Sequence, residues 1–141
     1  MPAFQTYAQQ DGLASDYVTS IAFARDGAIW IGTSRGVTQV QDKYWVTYTS
    51  AHGLGNSWIN GIAIASNGKI YFATNGGGLT FFGGATRKTY HTSNSAIPSN
   101  YLTAVAIDRY NRVWVGTYGM GVARLDAEQW TRYSLANNYI L

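Results

Sequence analysis

Two histidines, seven carboxylates and no cysteine are the side chains through which this 141-residue chain could do acid–base or metal chemistry. Zinc needs three or four imidazole, thiolate or carboxylate ligands converging on one point. His52 stands four residues after Tyr48 and His91 directly after Tyr90, so the two share no position in their loops and make no ligand set; no metal and no cofactor are expected. Asp11, Asp16, Asp26, Asp42, Asp108, Asp126 and Glu128 mostly mark turns, where a short carboxylate bonds nearby backbone. No serine sits in the strand-to-helix elbow that arms a nucleophile. The most suggestive spacing is "IWIGTSRG" at 29–36, which has the glycines and arginine of an anion loop. Phosphate loops, however, place their glycines between a strand and a helix N-terminus, and here another strand-like run follows. These residues point to a protein that is not an enzyme.

That motif occurs three times. "IWIGTSRGV" returns as "IYFATNGGGL" at 70–79 and "VWVGTYGMGV" at 113–122, with the aromatics Trp30, Tyr71 and Trp114 as markers. Ala73 replaces the first glycine in the second copy, so the position demands smallness more than unusual dihedral angles. The flanks repeat in register: "FQTY", "WVTY", "RKTY" and "WTRY" each end an aromatic or basic segment. A loop follows, "GLASDYV", "GLGNSWI" or "AIPSNYL", then an apolar strand, "VTSIAFA", "INGIAIA" or "LTAVAID". The tail "SLANNYIL" resembles the start of one more loop and strand.

Each unit holds four short runs rich in β-branched and aromatic residues, separated by Gly, Asn, Asp or Ser turns and free of helical periodicity. Four antiparallel strands per 40–45 residues is the pattern of a β-propeller blade. The fold class expected is all-β: three four-stranded antiparallel blades, at about 12–49, 53–91 and 96–134, with an extra outer-type strand near 4–8. The strands fall near 18–24, 28–34, 37–41 and 44–49; 59–65, 69–75, 78–83 and 86–91; 102–108, 112–118, 121–126 and 129–134. In each first strand one face is small and the other large. In each second strand Trp30, Tyr71 or Trp114 shares a face with Gly32, Ala73 or Gly116, a bulky ring beside a gap for the adjacent blade.

The pattern GL-x-S, two residues, V or I, two residues, I, five residues, G-x-I-W-I-G-T, two residues, G resembles the two-component regulator propeller repeat, over essentially the whole chain. That resemblance implies blades of the kind arrayed in the sensor regions of bacterial hybrid histidine kinases, often periplasmic. The acidic position of the family is kept only as Asp108, with Ala24 and Ala65 at the other two, and the second unit reads "YFAT". No kinase or response-regulator segment lies within the chain, so signalling does not carry over. The streptogramin lyases have a similar G-x-I-W-F-T strand, an enzymatic alternative, but their catalytic histidine and acid find no place here.

Composition narrows the partners. The ten basic residues behind the net charge of +3 are scattered singly, which speaks against nucleic acid. No apolar run approaches the length of a membrane span, and "MPAFQTYAQQDG" lacks the basic and apolar regions of a signal peptide; no export or membrane signal marks the chain as given, which is cytoplasmic on that ground alone, while the resembled family is often periplasmic and the compartment stays open. Closed propellers use about 4 to 8 blades, and three leave two apolar blade faces uncovered. A homo-oligomeric ring is expected, two chains with six blades in preference to three with nine; the alternative is a fragment or engineered piece of a longer propeller. At one end of the channel Asp16, Tyr17, Trp58, Asn100 and Tyr101, with Arg35, Asn75 and Tyr118 in the matching second loops, form a rim suited to a small polar ligand or glycan.

Overall fold

A computed structural model describes residues 3–135. They form three four-stranded antiparallel sheets, each a meander in which strands neighbour one another in chain order. The first blade is β1 (Val18–Phe23), β2 (Ile29–Thr33), β3 (Gly36–Gln41) and β4 (Tyr44–Tyr48); the second is β5 (Ile59–Ile64), β6 (Ile70–Thr74), β7 (Leu79–Gly83) and β8 (Thr86–Tyr90). The third is β9 (Leu102–Ile107), β10 (Val113–Thr117), β11 (Val122–Asp126) and β12 (Gln129–Tyr133). All twelve strands lie within one residue of the limits read from the sequence. The match follows from the alternation itself, because a period of two leaves one register in which the apolar residues face the core.

Tight turns close each first pair of strands. Ala24, Ala65 and Asp108 donate their N–H groups to the carbonyls of Ala28, Lys69 and Arg112, and the left-handed residue each turn requires is Gly27, Gly68 or Asn111, at φ 93°, 87° and 61°. Asparagine is the side chain best able to replace glycine there.

The hydrophobic cores lie between the blades. One joins blades one and two through Trp30, Val37, Leu54, Ile59, Ile70, Phe72 and Phe82. The other joins blades two and three through Tyr71, Leu79, Phe81, Tyr90, Leu102, Val113, Val115 and Leu125. First strands stand side by side, β1 against β5 and β5 against β9. The small residue Gly61 allows that approach, since a Cβ there would lie 3.2 Å from the Val105 amide nitrogen and 3.4 Å from Ala104 Cα. In the middle blade every residue of β6 is buried. At the two ends the first strands lack such cover: in blade one Ile21 is 58% and Phe23 75% exposed, and in blade three Ala104 and Ala106 are exposed.

Two expectations at the termini need restating. Residues 4–8 form no strand; the strand they would pair with is the third strand of a preceding blade, and none is among the described residues. Tyr7 instead packs its ring 5.5 Å from Trp45. Most of the tail likened to another loop and strand, residues 136–141, lies outside the described residues. Among those described, no helix is long and apolar enough to cross a membrane.

Candidate functional site

The loops that enter each first strand and those that leave each second strand meet at one end of the blades. The entering loops share one construction. Side chains of Asp11, His52 and Asn94 accept from the backbone N–H three residues earlier, of Ala8, Thr49 and His91, and Leu13, Leu54 and Ile97 are buried anchors. Asp16 Oδ1 accepts from the Gln9 amide at 2.6 Å, Ser57 Oγ from that of Ser50 and Asn100 Oδ1 from that of Thr92. Asp16 and Asn100, read from the sequence as ligand groups, thus spend these oxygens bracing their own loops. His52 has a comparable local task, and among the described residues no cluster of three His, Cys, Asp or Glu could hold a metal ion.

The second loops are pinned by a threonine that the sequence reading left out. Thr33, Thr74 and Thr117 donate their hydroxyls to the carbonyls of Gly36, Gly78 and Gly121 and accept from the amides of Arg35, Gly77 and Met120. Its presence in all three units was the available signal. Backbone bonds then join the two loop sets. Ser34, Asn75 and Tyr118 donate to the carbonyls of Tyr17, Trp58 and Tyr101 at 3.1, 2.9 and 3.1 Å. The repeat-equivalent of Asn75 and Tyr118 is therefore Ser34. Arg35 stands one place further on, because the first loop is one residue shorter and the hydrogen bonds set the register.

The rim residues come together in two groups. Tyr17 packs on Trp58 with ring centroids 5.8 Å apart. Asn75 bridges to Tyr101, the amides of Gly76 and Gly78 donate to the Asn100 carbonyl, and the Tyr101 ring lies over Gly76, 3.0 Å from where a Cβ would be. Arg35 is exposed and belongs to neither group, whereas Tyr118, with an exposed ring, joins the second through its amide bond to the Tyr101 carbonyl. The aromatic faces of Tyr17, Trp58 and Tyr101 remain partly open to solvent, while their backbone is fixed.

A concavity lies at the opposite end, by the turns after the first strands. It encloses about 340 Å³ between Phe23, Arg25, Ile64, Ser66, Ile107 and Arg109. Asp108 beside it is a structural carboxylate. Partial burial works against its charge, but hydrogen bonds from the Trp114 indole, the Arg112 backbone and guanidinium and the Tyr110 backbone outweigh that and hold it well below the ordinary carboxylate range. Toward the outer edge, Tyr90 donates to Glu128 at 2.6 Å and Lys88 pairs with the same carboxylate at 2.9 Å. Those two bonds lower Glu128, and burial followed by the bond to Glu128 raises Tyr90. Both groups tie blade two to blade three.

Comparison with known proteins agrees with this architecture. The two component regulator propeller family matches residues 12–35 and 96–119, the first two strands and entering loops of blades one and three. The chain superimposes on the extracellular domain named for the hybrid two component system BT3049 from B. thetaiotaomicron, with a TM-score of 0.83, 26% identity and coverage of 96% of this chain and 19% of that one. The corresponding domain of BT4673 from the same organism gives a TM-score of 0.75 at 16% identity, over 89% of this chain and 19% of that one. A streptogramin B lyase gives 0.66 at 18%, over 86% and 41%. The chain spans about a fifth of the length of the two extracellular domains, and the lyase likeness is one of fold alone. No curated protein matches in sequence. Repeat pattern and sheet topology make the described residues an open β-propeller segment of three blades, two of which match the two component regulator propeller model over their entering loops and first two strands.

Proposed function

We propose that this chain is a non-enzymatic scaffold module that supplies three blades to a closed propeller, completed by a second copy of itself. The observation that carries the proposal is the contrast between the middle blade, whose second strand is wholly buried, and the exposed first strands of the end blades, with Ile21 and Phe23 open on one and Ala104 and Ala106 on the other. Contiguous apolar surface of this kind is a hallmark of an interaction site, and a head-to-tail interface that repeats the internal blade contact closes on itself. The rim of Tyr17, Trp58 and Tyr101 is the ligand face of that ring. Its fixed backbone and open aromatic planes suit the stacking of a glycan or another small polar ligand, and the variable second loops give the rim its specificity.

Sedimentation velocity tests the assembly. A species of twice the 15.4 kDa chain mass is the expected result. A monomer at every concentration would mean that the outer faces are covered by further blades of a longer chain, or not at all. For the rim, glycan-induced thermal stabilisation of the unmodified chain and its loss in Trp58→Ala are expected, since a ligand that binds only the folded form raises its stability.

A further inference from the structure

The two internal seams share one inner construction, and the chain carries both halves of it unused at its ends. At the first seam Ile59, fully buried, fills the notch at Gly32: a Cβ on Gly32 would lie 2.8 Å from Ile59 Cγ2 and 3.3 Å from Ile59 Cβ. Thr19 Oγ1 then donates to the Ile59 carbonyl. At the second seam Leu102 is the buried knob packed with Ala73, and Asn60 Nδ2 donates to the Leu102 carbonyl at 2.8 Å. Val18 is the repeat-equivalent of Ile59 and Leu102, yet it is 41% exposed. Gly116 is the equivalent notch; the atoms nearest a Cβ there, Thr103 Oγ1 at 2.9 Å and Ala104, belong to its own blade. Thr103, the equivalent of Thr19 and Asn60, is exposed.

We propose that Val18 of one chain enters the Gly116 notch of another and that Thr103 donates to the Val18 carbonyl across this seam. The proposal rests on the ring-closure reading above and specifies its register. Its occupant is a second copy because knob and notch are a matched pair on opposite ends of one chain, a heterologous contact that closes by rotation. Further out, Tyr90 of blade two meets Trp130 of blade three at 5.7 Å. Trp45 is the equivalent of Trp130, and Tyr7 covers it at 5.5 Å. In the closed seam the Trp45 place belongs to Tyr133, the equivalent of Tyr90, and Tyr7 yields it.

Because the chain has no cysteine, cross-linking reads the register directly. The 3.3 Å separation at the internal seam is close to the Cβ distance of a disulfide, about 3.5–4.5 Å. Mixing Val18→Cys chains with Gly116→Cys chains under mild oxidation is expected to give a covalent dimer. Gly116→Leu should weaken association about tenfold or more while leaving the monomer folded by circular dichroism, since it crowds only a rotatable hydroxyl. Tyr7→Ala should strengthen association. If unmodified chains associate but the cysteine pair does not cross-link, or Gly116→Leu associates undiminished, this register is wrong and ring closure stands. Association of Tyr7→Ala no tighter than that of the unmodified chain refutes the displacement of Tyr7. Chains that remain monomeric throughout, Tyr7→Ala included, overturn both readings.

Discussion

Gly32 and Arg35 lie three residues apart on one motif and answer to different physics. Gly32 faces Ile59 and Ser20 with no room for a Cβ, so Gly32→Leu forces the first seam apart and should cost about 2–3 kcal/mol by overpacking. Arg35 is exposed at a loop tip, and Arg35→Ala should change stability by no more than about 0.5 kcal/mol; urea denaturation of both variants checks the contrast. Asp108 makes a pH prediction. Its folded-state pKa is depressed by hydrogen bonds from Trp114, Arg112 and Tyr110 that outweigh desolvation. The stabilisation is therefore full above the ordinary carboxylate pKa of about 3.9 and is lost as pH falls below it. Asp108→Asn should melt lower than the parent at neutral pH, and the gap should narrow below about pH 4 in thermal melts.

Strands and turns were the most legible level, and loops the least. The alternation of the first strands is visible in "VTSIAFA" and "INGIAIA" because a half-buried strand has a fixed period of two, and each limit fell within one residue. The loop groups behaved otherwise. Asp16 and Asn100, candidate ligand groups, also accept backbone N–H bonds that brace their loops, a contact the sequence does not display because a polar side chain carries no mark of which amide it will meet. Arg35 was matched to Asn75 and Tyr118, whereas backbone bonding aligns Ser34 with them. The pinning threonines show how much order these loops hold. Thr74 is fully buried, bonds the Gly78 carbonyl at 2.7 Å and receives the Gly77 amide. Thr74→Val should cost about 1–3 kcal/mol, the penalty for leaving such groups unsatisfied, and should speed hydrogen exchange at the Gly77 amide relative to the strands.

Across the whole molecule, stability is divided among seams that link only neighbouring blades, as in other repeat architectures. Closure through a second copy adds two more seams, so the thermal midpoint should rise with protein concentration, as mass action demands of any association confined to the folded state. A midpoint independent of concentration would count against the ring. The amino-acid sequence by itself determined the blade count, the strand limits and the small-beside-large faces, since these depend on local periodicity and turn chemistry that twelve short strands display in order. Only the tertiary structure decided that Ile59 fills the Gly32 notch, that Tyr7 lies on Trp45 in place of a strand, and that Val18 and Gly116 are left open. Those facts depend on which residues of different blades meet across 40 or so positions of chain, a relation set by packing in three dimensions and not by any local pattern.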